Sequence, residues 1–232
     1  MIDASQVRAA LDAVRDPELD TSIVELGFVS GCAVESDGTV RVRLRLPTFF
    51  CAPNFAYLMV ADAYDAVSRV DGVTGVDIVL EDHFAAPEIN AGVAARAGFV
   101  AAFDGLAERE LGDLRREFLR KAMLAAQDRV VRPLVSAGVQ LNELAALRLG
   151  DVPDTTDRDR LRARRVELGI PSGDGDPLLV HVDGSTVAPG DVALHVRRAH
   201  TVRVSIDANG EYCRQLLSER YGLPAHDVTS GC

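Results

Sequence analysis

Between residues 39 and 46 apolar and polar side chains alternate without a break: Val40, Val42, Leu44 and Leu46 interleave with Thr39, Arg41, Arg43 and Arg45. A period of two predicts a strand with one buried face and one wet, basic face. The run 28–34 precedes it across the turn signal Asp37-Gly38, so the pair reads as a hairpin. Upstream, Asp3 and Gln6 have the spacing of a capping box, and Val7, Ala10, Leu11 and Val14 then recur at helical spacing until Asp16-Pro17 interrupts them. Downstream, Pro53 suits a first helical position, and Phe55, Leu58, Met59, Ala63, Ala66 and Val70 form an apolar stripe that Asp71-Gly72 closes. Val76, Ile78 and Leu80 predict a third strand. The resulting order, α-β-β-α-β within about 85 residues, fits a small two-layer α+β domain with helices on one face of a sheet.

Beyond residue 86 the pattern changes. Ala85-Ala86-Pro87 and Asn90-Ala91-Gly92 mark a boundary, which gives an N-terminal domain over 1–86, a linker over 87–104 and a C-terminal region over 105–232. That region reads as helical over 105–170, with a long helix over 106–131 that Pro133 should end or kink and a second helix over 141–149. Short strands over 178–182, 192–195 and 201–206 follow, and the turn at 207–210 leads to a last helix through Tyr221, which makes 177–223 mixed α/β. Arg158, Arg160, Arg162, Arg164 and Arg165 gather before Glu167, interleaved with Asp157 and Asp159, and read as a solvated helix face. The histidines at 181, 195 and 200 have no spacing that forces them together.

Composition then narrows the function. With 232 residues and 47% hydrophobic content the chain can bury a real core. A net charge of −10 repels phosphate, which argues against nucleic acid as a partner. The first residues lack the basic and apolar regions of a signal peptide, and no 18-residue apolar run occurs, so the expectation is a cytoplasmic protein without a membrane span. The cysteines at 32, 51, 213 and 232 form no CxxC pair, which speaks for reduced thiols rather than a disulfide framework.

Cys51 is the main candidate for chemistry. It falls where the alternating strand stops and the next helix begins, a place where helix amides and the positive end of the macrodipole favour thiolate. Free cysteine is also among the most buried residue types, so a plain packing role competes with a chemical one. Asp16-Pro17-Glu18 reads unaided as a helix stop and a turn, Thr48 as a cap for the helix after it, Cys32 as a strand residue, and Glu81-Asp82-His83 as a solvated loop.

Taken together, Asp16-Pro17-Glu18, the run Ser22-Ile23-Val24-Glu25-Leu26-Gly27-Phe28-Val29, the strand leading to Thr48 with Cys51 three residues later, and Val70-Asp71-Gly72-Val73 resemble the MIP-eighteen family over about residues 3–84. The family includes SufT-type and PaaD-like iron-sulfur cluster assembly factors. Ala52 between the cysteine and Pro53, Glu25 in place of the usual aspartate, and Glu81-Asp82-His83-Phe84 in place of the usual proline-tryptophan ending depart from its pattern. The resemblance implies a non-enzymatic accessory factor that helps assemble or deliver an iron-sulfur or iron centre to a client protein. It points to Cys51 as the residue that handles cluster or iron, with Thr48, Glu18 and Asp16 as neighbours.

One thiolate cannot hold a stable cluster, so metal at Cys51 would be labile and shared with a second subunit of a homodimer, a client or a small thiol, and no stably bound cofactor is expected. The implied partners are a client metalloprotein, such as an oxygenase, and other cluster-assembly proteins. The alternative is an adaptor of a metal-dependent oxygenase complex that binds its client through the C-terminal region and carries no metal. A thiol enzyme fits less well, because no histidine is placed by sequence as the base for Cys51.

Overall fold

The computed structural model describes residues 2–223, and Cys232 lies outside them. The chain divides into two compact units, one of Met1–Asp113 with Asn209–Cys232 and the other of Leu114–Ala208.

The first unit is built on the predicted α-β-β-α-β order. Helix α1 (Ala4–Asp12) opens with the expected capping box between Asp3 and Gln6 and buries Val7 and Leu11. Strands β1 (Val29–Val34) and β2 (Thr39–Leu44) pair antiparallel, with Val34 opposite Val40 and Val29 opposite Leu44. The alternation in β2 has its structural counterpart: Val40, Val42 and Leu44 are buried, while Arg41 and Arg43 reach over the other face to Glu35 and Glu81. Helix α2 (Pro53–Ser68) then crosses over to β3 (Gly75–Leu80), which pairs parallel to β2 and forms one edge of the order β1-β2-β3. A parallel pair needs such a crossover, because a tight turn returns the chain antiparallel. The core lies between this sheet and α1 and α2 and gathers Leu11, Phe28, Leu44, Met59, Val60, Val67 and Leu80.

Residues 87–104, expected as a linker, contain structure instead. Helix α3 (Ala86–Ala94) buries Ile89 and Val93 in the same core, and the short α4 (Phe99–Ala102) follows it. Edge strands leave backbone groups unpaired. Here Asn90 supplies the partner: its amide accepts from the Leu80 N–H at 2.9 Å and donates to the Leu80 carbonyl at 3.1 Å. Small residues let α3 and α4 approach closely, since a Cβ on Gly92 would come within 2.3 Å of the Ala102 Cβ.

In the second unit Met123, Leu144, Leu149, Leu161, Leu178 and Val187 share a core. Helix α5 (Gly112–Ser136) starts later than the expected 106 and runs through Pro133 rather than ending there. The helix expected over 141–149 does not form: 141–146 are turns in which amides reach back three residues, Leu144 to Leu141, Ala146 to Glu143 and Leu147 to Leu144, and Leu149 opens a short 3-10 helix (Leu149–Asp151). Helix α6 (Thr156–Leu168) is capped by Thr155 and closed by Gly169 in the left-handed conformation. Its arginines are not all solvated: Arg165 is fully buried and donates to the carbonyls of Pro177 and Leu178, with Arg164 nearly as buried.

The strands expected at 192–195 and 201–206 are one continuous helix, α7 (Val192–Tyr221). Valines and threonine favoured the strand reading. The buried positions Val192, His195, Ala199, Ile206 and Leu217 instead follow the helical period. At 178–182 only an isolated bridge forms, between Val180 and Thr186, while buried Gln127 from α5 bonds both the amide and the carbonyl of Val180. Hydrogen bonds that a strand partner would make are thus supplied by a side chain.

Candidate functional site around Cys51

After β2 the chain leaves the sheet at Leu44 and reaches α2 at Pro53, with half-buried Cys51 one residue before the N-cap Ala52. Ala52 offers no side-chain cap, and Thr48 lies four residues upstream of it, so Thr48 is half-buried beside the junction and does not cap the helix. A different residue holds the turn. His83, only 4% exposed, directs Nε2 at the Cys51 carbonyl at 2.6 Å, while its Nδ1 accepts the Ala85 N–H at 3.2 Å. These two bonds define a neutral ring with the proton on Nε2. Burial depresses the His83 pKa and so keeps the ring neutral. One residue along, the Phe84 amide donates to the Phe49 carbonyl at 3.2 Å, so segments 49–51 and 83–84 are laced together.

Asp16 and Glu18, whose charges act on the Cys51 thiol, stand on a braced turn of their own. The Asp16 Oδ1 accepts the amides of Glu18 at 2.8 Å and Leu19 at 2.9 Å, and the Asp16 amide donates to Thr21. Ser22 extends the brace by donating to Asp12 at 2.7 Å and accepting the Val24 amide. The run that follows buries Ile23, Val24, Leu26 and Phe28, with Gly27 at φ 73°, a conformation that glycine adopts readily. Asp16 is nearly fully buried, and burial pushes its carboxyl up to about 6 although two amides bond it.

The electrostatics at Cys51 run opposite to the sequence expectation of a favoured thiolate. Burial pushes the thiol up to about 12, and the charges of Asp16, Cys213 and Glu18 add to that effect, while the Ala52 amide opposes it. One helix-start amide is outweighed by desolvation and neighbouring negative charge. Cys213, on the last part of α7 and within the same unit, is pushed up to about 11 by burial and by Asp16 and Glu18. Two acids and two thiols thus share one electrostatic neighbourhood. Three exposed phenylalanines rim it: Phe49 contacts both Phe50 and Phe84, with ring centroids 5.7 and 6.2 Å apart.

Of the residues singled out from sequence, Asp16 and Glu18 act on Cys51 through their charge, and Thr48 lies on the same connection as Cys51. Cys32 is half-buried in β1 opposite Val42. His83 and Cys213 are additions that sequence reasoning missed. The tripeptide Glu81-Asp82-His83 has the polarity of a loop, which hides the burial of its histidine. Cys213 had a usable signal, since it stands four residues before Leu217 and eight before Tyr221, a helical face. In the second unit the rings of His181 and His195 lie 5.4 Å apart, but among the described residues no three His, Cys, Asp or Glu side chains converge as a metal site. No helix among these residues is long and apolar enough to cross a membrane.

Comparison with known protein families falls on the same segment. Residues 4–78 match the model of a family described as iron-sulfur cluster assembly protein. An uncharacterized protein of Methanocaldococcus jannaschii is 31% identical over 90 residues, which cover 39% of this chain and 93% of that protein. No solved structure matches significantly. Through its N-terminal region the chain belongs to the iron-sulfur cluster assembly family, and the matched segment contains Asp16, Glu18, Thr48 and Cys51 but neither His83 nor Cys213.

Proposed function

We propose that the protein is a non-enzymatic accessory factor that helps assemble an iron-sulfur or iron centre and deliver it to a client metalloprotein, acting through Cys51. The observation that carries this reading is the position of Cys51 within the family-matched segment, half-buried on a turn that His83 holds in place and within the field of Asp16 and Glu18. A high thiol pKa suits such a role. Without cargo the sulfur stays protonated and inert, and a thiophilic metal that displaces the proton supplies the missing positive charge. The exposed Phe49, Phe50 and Phe84 rim the same turn and offer a client an apolar landing place next to the thiol. Asp16 and Glu18 add a negative field that attracts a cation, and Thr48 lies within the turn. The cargo is labile, shared with the client or with other assembly proteins.

Anaerobic reconstitution with iron and sulfide, followed by activation of an apo client, tests the proposal. Cys51→Ala is expected to lose bound iron and client activation together. Full activation by this variant would overturn it and favour an adaptor that binds an oxygenase-type client through the C-terminal region.

A further inference from the structure

Cys213 lies well outside the family-matched segment, yet belongs to the same compact unit as Cys51. The end of α7 brings it there. Leu217 is buried in the core of that unit, and Arg220 donates to the Leu46 carbonyl at 3.3 Å and to the Asp82 carbonyl at 2.8 Å. Tyr221 lies beneath the Arg45 guanidinium, 5.0 Å from ring centroid to carbon. Cys213, Leu217 and Arg220 are spaced by four and three residues and therefore share one helix face. Leu46 precedes Cys51 on the connection to α2 and Asp82 directly precedes His83, so the helix face that carries Cys213 is docked on the two segments that carry Cys51 and His83. Both thiols pack, half-buried, against the same core. Their electrostatic coupling, and the action of Asp16 and Glu18 on both, agree with that placement.

We propose that Cys51 and Cys213 form a two-thiol site for a thiophilic cargo, iron(II) or the edge of an iron-sulfur cluster, whose remaining ligands are the cargo's own sulfides or groups of the client. The proposal rests on the assembly role argued above. On binding, each S–H releases its proton to solvent and two metal–sulfur bonds form, with no change in oxidation state. The carboxylates of Asp16 and Glu18, which disfavour a free thiolate, favour the bound cation. Two sulfurs hold the cargo as a chelate and leave half of a tetrahedral sphere open, which suits transfer better than storage. The second thiol comes from a helix beyond the family segment, so the pair is a feature of this longer chain.

Cobalt(II) chloride titrated anaerobically into the full-length protein reads the pair directly, through the intensity of thiolate-to-cobalt charge transfer per bound ion. Cys51→Ser and Cys213→Ser are each expected to halve that intensity and weaken cobalt binding roughly tenfold or more, whereas Cys32→Ser leaves both unchanged. Phenylarsine oxide, which bridges two thiols within reach, should form a stable adduct, read by mass, with the native protein and Cys32→Ser but with neither of the other variants. Cys213→Ala repeats that arm with a strong helix former, and matching far-ultraviolet circular dichroism guards against misfolding. An unchanged cobalt spectrum and an intact arsenical adduct in the Cys213 variants overturn the pair. If Cys51→Ser loses iron and client activation while the Cys213 variants keep both and the native cobalt spectrum, the assembly role stands and the pair falls. If both variants halve the cobalt signal but still activate the client, the two-thiol site stands and the assembly role falls.

Discussion

Asp16 has two amides bonded to its carboxylate and is still held near pH 6, because burial outweighs them. A carboxyl whose pKa is raised in the folded state keeps its proton there at a pH where the unfolded chain has released it. Its stabilising contribution is therefore complete below about pH 4 and is lost as pH rises through about 6, a change on the order of 3 kcal/mol. Asp16→Asn keeps an acceptor for the Glu18 and Leu19 amides, so its urea-unfolding midpoint should be flatter than that of the native protein between pH 4 and 7 and higher at pH 7. The same variant should speed alkylation of Cys51, since one of the charges that raise the thiol is gone. Peptide mass analysis of iodoacetamide-treated protein at pH 8 checks this. His83→Ala removes a buried ring and the hydrogen bond to the Cys51 carbonyl, and should lower stability by about 2 kcal/mol in urea unfolding. The candidate site was legible at this scale only where residues make a pattern. Asp16, Glu18 and Cys51 stand in motifs, whereas the role of His83 depends on which backbone atom its ring meets after the chain returns from β3.

Elements that bury one face against a single partner could be read directly. The capping box of α1 and the alternation of β2 describe local hydrogen bonding and local period, so both survive into the structure. Helix α3 did not show itself in the same way, because the Ala-, Gly- and Asn-rich stretch that looks like a boundary is what allows close packing and edge pairing. Asn90 is the test: Asn90→Ala leaves the amide and carbonyl of Leu80 without these partners and should cost about 1–3 kcal/mol. Hydrogen exchange at the Leu80 amide should accelerate accordingly. In α7 the β-branched residues suggested strands, but a helix of 30 residues results because its buried positions recur every three to four residues.

Over the whole chain, the N-terminal core is completed by residues that sequence reasoning assigned to a separate region. Leu217 is 1% exposed in that core, and Leu217→Ala should lower stability by about 3 kcal/mol, with faster hydrogen exchange in β2 and β3 if the first unit unfolds as one. The sequence by itself determined the α-β-β-α-β order, the buried face of its central strand and the family to which residues 4–78 belong, since these depend on local period, caps and contiguous motifs. Only the tertiary structure decided that the first unit closes with the end of α7, that His83 holds the Cys51 turn, and that the thiol is protonated where a helix start had suggested thiolate. Those outcomes depend on burial and on groups far apart in sequence. Desolvation and charge at a point in space are sums over neighbours that no local pattern records.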